Sequence, residues 1–105
     1  MKYQEINSEE LEELINSKNN NEYVLLDVRT PKEYDSGHIP GAILIDIYDP
    51  EFKSKVDQLD KDKTYYVICR SGQRSGNACG IMHDLGFKEL NNLQGGMLGW
   101  AGDIE

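Results

Sequence analysis

The sequence predicts an α/β domain built on a largely parallel sheet. Short apolar runs typical of buried strands alternate along the chain with segments whose apolar residues recur at helical spacing. Cap and turn signals separate these segments, as expected where helices connect parallel strands. The chain has 105 residues, which is enough for one domain and too few for two, so we expect a single domain over residues 1–105.

The first third of the chain predicts a helix, a strand and a shorter helix. Ser8 is a candidate N-cap, because acidic residues and then apolar residues at helical spacing follow it. A polar loop is expected at 19–21, before the apolar run YVLLDV at 23–28, which predicts a buried strand. The segment TPKE at 30–33 combines a capping box with proline at the first helical position, and the helix should end near Gly37.

The middle of the chain predicts two strands on either side of a helix. A Pro-Gly turn at 40–41 precedes the run AILI at 42–45, which predicts a second short strand. Asp-Pro at 49–50 predicts a cap and a first helical proline for a helix that runs through residues 52–56. The run YYVI at 65–68 combines aromatic and β-branched residues and is the strongest strand signal in the chain.

The last third predicts a helix and a final strand. A helix is expected after Arg74, because four apolar residues fall on one face: Ala78, Ile81, Met82 and Leu85. Gly86 is its expected C-cap. A strand near 88–93 then leads into Gly-Gly at 95–96 and a short segment that holds Trp100.

The charge and hydropathy of the chain argue against several function classes. The net charge is −8, and the basic residues are scattered apart from Arg70 and Arg74, so we expect no nucleic-acid partner. No apolar run approaches the roughly 20 residues that a membrane-spanning helix needs, so we expect no membrane partner. The N-terminal segment carries acidic residues where a signal peptide has an apolar core, and we therefore expect a cytoplasmic protein.

The cysteines and histidines do not form a recognisable metal or disulfide motif. No pair among Cys69, Cys79, His38 and His83 has zinc-ligand spacing, so no metal is expected. The two cysteines should lie about 15 Å apart along a helix, whereas a disulfide needs Cα atoms within about 7 Å. We expect Cys79 to pack in the core and His83 to be exposed.

Cys69 is the candidate reactive residue. It ends the strongest strand, where sites form in parallel sheets, and the segment CRSGQRS at 69–75 joins that strand to the following helix. A loop that closes onto a helix N-terminus directs backbone N–H groups inward, and Gly72 permits close approach of the backbone. Arg70 and Arg74 add positive charge. The loop is therefore predicted to stabilise an anion.

The first such anion is the thiolate of Cys69 itself. A free cysteine titrates near pH ~8.5, and a helix N-terminus or a nearby arginine lowers that value. A persulfide would place its terminal sulfur among the same N–H donors. A strand end that only packs in the core does not need a glycine, two arginines and two serines in the next six positions. No histidine is placed as a base for Cys69, so a Cys/His hydrolase has no support.

Three segments, in this order, carry a family resemblance. The first is LDVR at 26–29 with EY at 33–34 and GHIPGA at 37–42, the second is YVICRSGQRS at 66–75, and the third is LQGG at 93–96 with Trp100. Together they resemble the rhodanese-like domain family of thiosulfate and persulfide sulfurtransferases, over nearly the whole chain.

The resemblance implies a fold and an activity. The fold is a three-layer domain with a five-stranded, mainly parallel sheet flanked by helices. Cys69 would be the catalytic residue, taking a sulfane sulfur from a small anionic donor such as thiosulfate and passing it to cyanide, a thiol or a protein acceptor. Substrate would be bound by the loop residues Arg70, Ser71, Gly72, Gln73, Arg74 and Ser75. No metal or organic cofactor is implied.

The remaining signature residues are interpreted as structural. Asp27 and Arg29 follow a buried strand and are expected to form an ion pair that fixes neighbouring loops. His38 is expected to make hydrogen bonds in a turn. The glycines at 95–96 would supply loop geometry, and Trp100 would seal the core.

Three other functions remain open at the level of sequence. Cysteine phosphatases of the cell-division-cycle dual-specificity type share this fold, but they have five residues between cysteine and arginine where this chain has four, which favours sulfur over phosphate or arsenate. A regulatory module without turnover is the second alternative, and a persulfide carrier that serves a protein partner is the third.

Overall fold

Five strands form one sheet in which every neighbouring pair is parallel. The structure, a computed structural model, describes residues 2–17 and 22–105. The strands are β1 (Gln4–Ile6), β2 (Tyr23–Asp27), β3 (Ile43–Leu44), β4 (Thr64–Ile68) and β5 (Glu89–Leu93), and their order in the sheet is β1-β5-β4-β2-β3. The helices are α1 (Ser8–Ser17), α2 (Pro31–Asp35), α3 (Phe52–Val56) and α4 (Gln73–Asp84), and a 3₁₀ turn spans Gly96–Gly99. The α/β class with a five-stranded parallel sheet is confirmed.

Two apolar cores lie on opposite faces of the sheet, because side chains alternate along each strand. On one face the sheet packs against α3 and α4 in a cluster that includes Leu26, Phe52, Val56, Tyr65, Val67, Ala78, Cys79 and Met82. On the other face it packs against α1 and α2 in a cluster that includes Leu11, Leu25, Tyr34, Tyr66, Ile68 and Leu93. Helices therefore cover both faces, giving three layers.

The sheet topology opens a crevice at the carboxyl ends of β2 and β4. The chain leaves β2 through α2 towards β3 at one edge, and it leaves β4 through α4 towards β5 on the other side. Because the two connections diverge from adjacent strands, the loops that follow β2 and β4 flank the space between them. Arg29 and Thr30 follow β2, and Cys69 follows β4. The predicted reactive residue thus lies at the place where such folds bind ligands.

Two of the predicted helix ends have the expected hydrogen bonds. Thr30 Oγ1 accepts from the Glu33 N–H and Glu33 Oε1 accepts from the Thr30 N–H, which completes the capping box of α2. Gly86 follows α4 with φ +98°, and the Phe87 N–H reaches back to the Met82 carbonyl at 3.1 Å.

Other element boundaries differ from the prediction. The short edge strand β1 was not predicted, because only its last residue is partly buried. Asn7, not Ser8, caps α1, since Asn7 Oδ1 accepts from the Glu10 N–H at 2.8 Å. The helix expected from Asp-Pro at 49–50 begins only at Phe52, because the preceding residues form a turn.

The polar loop predicted at 19–21 lies outside the described residues. Among residues 2–17 and 22–105, no helix has both the length and the apolar character needed to cross a membrane.

Candidate active site

Cys69 lies at the end of β4, with hydrogen-bond donors directed at its sulfur. The Gly72 N–H donates to Sγ at 3.0 Å and the Ser75 hydroxyl approaches Sγ at 3.2 Å. Cys69 and Ser75 are both fully buried, at 0% exposure. The predicted loop and the helix N-terminus therefore meet at the thiol, as the sequence indicated.

Gly72 gives the loop the shape that brings donors to the sulfur. It precedes α4 with φ +100°, a conformation that side chains rarely adopt. A Cβ at this position would also lie 3.4 Å from both the Gly95 nitrogen and the Leu93 oxygen. The backbone therefore turns sharply here, with its N–H towards Cys69.

Burial and hydrogen bonds shift the pKa of the Cys69 thiol in opposite directions. Burial, the largest single influence, raises its pKa because it disfavours the charged form. Hydrogen bonds from the Ser75 hydroxyl and from backbone N–H groups of Ser75, Gly72 and Ser71 stabilise the thiolate and together outweigh burial. The pKa of Cys69 is therefore lowered from the value of an ordinary cysteine, which favours a nucleophilic thiolate.

Arg74, expected to add charge to the loop, is bound to a carboxylate from another element. Its Nη1 and Nη2 donate to the two carboxylate oxygens of Glu33 at 2.7 and 2.8 Å. These hydrogen bonds lower the pKa of Glu33 to about 2 and raise that of Arg74. The guanidinium also lies 5.6 Å from the ring centroid of Tyr48. The Arg74 side chain thus ties α4 to α2, while its backbone remains in the first turn of α4.

The other loop residues face outward. Arg70, Ser71 and Gln73 are exposed. The Arg70 guanidinium has no hydrogen-bond or ion-pair partner within residues 2–17 and 22–105. It is therefore the loop cation that can meet an incoming anion without breaking an existing ion pair.

The 3₁₀ turn after β5 holds the active loop from the C-terminal side. The Met97 N–H donates to the Cys69 carbonyl at 2.9 Å and the Leu98 N–H to the Arg70 carbonyl at 3.0 Å. A Cβ on Gly96 would lie 2.4 Å from the Cys69 oxygen, so no other residue fits without displacing the loop. The loop-geometry role expected for Gly96 agrees with this contact.

A buried asparagine that the sequence did not single out lies behind the thiol. Asn92 in β5 is 4% exposed, and its Oδ1 is hydrogen-bonded to the Ser75 hydroxyl. Its Nδ2 donates to the Gly72 carbonyl at 3.0 Å and to the Glu5 carboxylate at 3.2 Å. The available signal was polarity: asparagine is unfavourable in a buried strand unless its amide is hydrogen-bonded.

Comparison with known proteins assigns the chain to a family. The sequence profile of the Rhodanese-like domain matches residues 8–103. This chain belongs to the rhodanese-like domain family. A Bacillus subtilis protein named "Putative sulfurtransferase YtwF" is 43% identical, over 100% of this chain and 97% of that protein.

Two further proteins, one compared by sequence and one by structure, extend the comparison. The Bacillus subtilis protein named "Putative sulfur carrier protein YrkF" is 38% identical over 77% of this chain, which spans 43% of that protein. The crystal structure of a rhodanese-like domain protein from Staphylococcus aureus has a TM-score of 0.85 at 27% identity, covering 97% of this chain and 96% of that one.

The signature residues outside the rhodanese-like loop make structural contacts. Arg29 pairs with Asp27 at 2.8 Å, both side chains being buried, and also donates to the Gly37 carbonyl at 2.8 Å. His38 stacks on Tyr34 with ring centroids 3.7 Å apart, and its Nδ1 lies 3.0 Å from the Tyr34 carbonyl. These contacts fix the loops that flank the crevice, as expected.

The second cysteine of this rhodanese-like chain has a different environment. Cys79 is fully buried among the apolar side chains of α4 and the sheet, and burial raises its pKa to about 12. Both cysteines are free thiols. The expected packing role of Cys79 is consistent with this burial. Within the described parts of the chain, no three His, Cys, Asp or Glu side chains lie together in a way that could hold a metal ion.

Proposed function

We propose that this protein transfers a sulfane sulfur through a persulfide on Cys69. The observation that carries the proposal is the set of donors at the sulfur: the Gly72 N–H at 3.0 Å and the Ser75 hydroxyl at 3.2 Å, at the N-terminus of α4. They favour the thiolate, which is the form that attacks sulfur. Relatives named as a sulfurtransferase and a sulfur carrier support the same chemistry.

The loading step is a displacement at sulfur. The Cys69 thiolate attacks the outer sulfur of thiosulfate, an S–S bond forms to Cys69, and the S–S bond within thiosulfate breaks. Sulfite leaves with the electron pair, and the negative charge remains on the terminal sulfur of the persulfide. No proton is transferred, so the step needs no general acid.

The loop residues have distinct roles in this step. The backbone N–H groups from Arg70 to Ser75 face the developing persulfide, as donors at a helix N-terminus do for other anions. The exposed Arg70 guanidinium binds the sulfonate end of the donor. Arg74 acts by fixing α4 against α2 through Glu33, and Gln73 contributes its backbone.

The unloading step returns Cys69 to the thiolate. An acceptor thiolate, or cyanide, attacks the terminal sulfur, and the Cys69 thiolate leaves. The product is an acceptor persulfide or thiocyanate, and charge is conserved. Two free thiols in one chain are compatible with a reducing cytoplasm, where thiol acceptors are abundant.

A persulfide carrier is the second candidate. Tyr48 and Leu98 are each 67% exposed and lie beside the loop. The Tyr48 ring lies against the Arg74 guanidinium, and the Leu98 N–H donates to the Arg70 carbonyl. Large exposed apolar side chains beside a reactive loop suit a protein acceptor. A carrier would transfer sulfur faster to a protein thiol than to cyanide.

Turnover of thiosulfate with cyanide tests the proposal. We expect thiocyanate formation by the unaltered protein and by Cys79→Ala, which removes the other thiol, and none by Cys69→Ser. Thiocyanate formation by Cys69→Ser would contradict the proposal. So would hydrolysis of an aryl phosphate by a protein that forms no persulfide, because that result would favour the phosphatase alternative.

A further inference from the structure

The Ser75 hydroxyl has two acceptors and one proton. Its Oγ lies 3.2 Å from Cys69 Sγ and within hydrogen-bond distance of Asn92 Oδ1. A serine hydroxyl donates a single hydrogen bond, so it serves one of these partners at a time. Ser75 and Asn92 are both buried, at 0% and 4% exposure. Water therefore cannot readily donate a hydrogen bond to the acceptor that the Ser75 hydroxyl leaves without one.

The orientation of the Asn92 amide is fixed by its other neighbours. Nδ2 faces the Gly72 carbonyl at 3.0 Å and both Glu5 carboxylate oxygens at 3.2 Å, and all three are acceptors. A flipped amide would place its oxygen against these three acceptors, so the oxygen stays towards Ser75. Asn92 therefore presents a permanent acceptor to the Ser75 hydroxyl.

We propose that Asn92 is a positioning residue that competes with Cys69 for the Ser75 proton. In the thiol form, Ser75 donates to Asn92 and accepts from the Cys69 S–H. In the thiolate form, Ser75 turns its proton to Sγ, and Asn92 Oδ1 loses its donor. In the persulfide, the charge lies on the terminal sulfur, Sγ becomes a weak acceptor, and the proton returns to Asn92. Asn92 thus favours the thiol and the persulfide over the free thiolate.

This role deepens the proposed function, on which its persulfide part rests. The competition keeps the Cys69 thiolate more reactive than it would be if Ser75 had no other acceptor, because a less stabilised thiolate is the better nucleophile. It also returns a hydrogen bond to Asn92 when the sulfur is loaded. The thiol–thiolate part concerns only the free protein and is measured without a sulfur donor.

Other ionisable groups around the loop are unchanged in the test. They are Glu5 on β1, Asp27 and Arg29 at the end of β2, Glu33 on α2, Arg70 in the loop, and Arg74 and Cys79 on α4. Asn92→Ala also removes the hydrogen bonds that Asn92 Nδ2 donates to Glu5 and to the Gly72 carbonyl. That loss is the same with and without the Ser75 hydroxyl, so the Ser75→Ala background separates its effect on the Cys69 pKa from the effect of the Ser75 proton.

The test is a pH titration of the thiolate ultraviolet absorbance, with Cys69→Ser as the blank. We expect Asn92→Ala to lower the Cys69 pKa by about 0.5 to 1 unit, the amount expected when one hydrogen bond no longer has a competitor. Asn92→Leu, which fills the space, carries the same expectation if the alanine variant does not fold. In the Ser75→Ala background, Asn92→Ala should leave the pKa unchanged.

Asn91→Ala is the matched control. Asn91 adjoins Asn92 in β5 but faces the other side of the sheet, where its Nδ2 donates to the Tyr65 carbonyl at 3.3 Å. We expect it to leave the Cys69 pKa unchanged. A Cys69 pKa that is unchanged or raised in the Asn92 variants would overturn the proposal, as would an equal decrease with and without the Ser75 hydroxyl. Failure of sulfur transfer would leave these titrations intact, so the two proposals fail separately.

Discussion

At the scale of the residue, two cysteines ten positions apart have pKa values that are shifted in opposite directions. Cys69 and Cys79 are both fully buried, and burial alone raises the pKa of each. Among the residues that the structure describes, hydrogen-bond donors approach the sulfur of Cys69 and not that of Cys79, and they reverse the direction of the pKa shift of Cys69. The opposite pKa shifts of the two cysteines therefore come from hydrogen bonds to sulfur and not from a difference in exposure.

The lowered pKa of Cys69 predicts the pH dependence of sulfur loading. The rate constant for single-turnover reaction with thiosulfate should rise with pH through a midpoint below the ~8.5 of a free cysteine, since only the thiolate attacks. Ser75→Ala should move the midpoint upward, because it removes a donor to the thiolate. A midpoint at or above that of free cysteine would contradict the structure of the loop.

The Glu33–Arg74 pair predicts a pH-dependent contribution to stability. The pKa of Glu33 falls from 4.5 to about 2 on folding, so its contribution is complete above pH 4.5 and is lost as the pH falls through about 2. We expect Glu33→Gln to lower the free energy of unfolding at neutral pH by about 1 kcal/mol, because one bidentate, partly buried pair is lost.

Chemical denaturation at neutral pH and in acid measures this difference. The difference in free energy of unfolding between Glu33→Gln and the unaltered protein should become smaller in acid. Glu13 is an exposed glutamate on α1, and Glu13→Gln should have the stability of the unaltered protein at both pH values. A difference in free energy of unfolding that does not change with pH would show that the Glu33 charge does not stabilise the fold.

Part of the site could be predicted at this scale. The loop from Cys69 to Ser75 is contiguous, so its residue types and order indicated an anion-binding turn at a strand end. Glu33 lies 41 positions from Arg74, and Asn92 lies 17 from Ser75. Such pairings depend on which strands are neighbours, and the sequence did not indicate that order. Arg74 was therefore assigned to the loop cradle without its partner.

At the scale of the element, the active loop depends on the turn that follows β5. Gly96 has φ +55°, and a Cβ would lie 2.4 Å from the Cys69 oxygen and 2.6 Å from the Arg70 carbonyl group. We expect Gly96→Ala to reduce the free energy of unfolding by about 2–4 kcal/mol and to displace the loop.

Denaturation and sulfur-loading rates check this prediction together. Gly99→Ala is the control, because a Cβ there has no neighbour within 4 Å. Its stability and loading rate should stay close to those of the unaltered protein. Equal behaviour of the two alanine variants would mean that the contact between the turn and the loop does not hold the site.

The interior of α4 offers a stabilising substitution. Gly80 lies within the helix, and a Cβ there would meet no atom within 4 Å. We expect Gly80→Ala to raise the free energy of unfolding by roughly 0.5–1 kcal/mol, because alanine loses less backbone entropy than glycine in a helix. Gly86→Ala, at φ +98° beyond the same helix, should be destabilising. An unaltered stability of Gly80→Ala would contradict the prediction.

Elements with strong local signals could be predicted and those that depend on pairing could not. The run at 65–68 predicted β4, and the capping box at 30–33 predicted α2. Both could be recognised in the sequence because strand propensity and helix capping depend on only a few consecutive residues. The strand β1 contains only three residues, and it exists through its pairing with β5. The predicted N-cap of α1, Ser8, is one residue away from the observed N-cap, Asn7. The two residues are adjacent, and both residue types are favoured at the N-cap position.

At the scale of the molecule, the sheet order brings distant segments to one site. Cys69 follows the central strand β4, Asn92 comes from β5 and Glu33 from the helix after β2. The net charge of −8 gives no long-range attraction for an anion, so we expect anion binding to depend on the local donors and positive charge of the loop. The family profile over residues 8–103 and a TM-score of 0.85 to a rhodanese-like structure agree with this arrangement.

The central claim is that Cys69 carries the sulfur. Mass spectrometry of the intact protein and of its Cys69 peptide, after incubation with thiosulfate, tests it most directly. We expect the mass of one added sulfur on Cys69, its removal by cyanide, and no addition on Cys79 or in Cys69→Ser. A protein that gains no sulfur, or that gains it on Cys79, would contradict the claim.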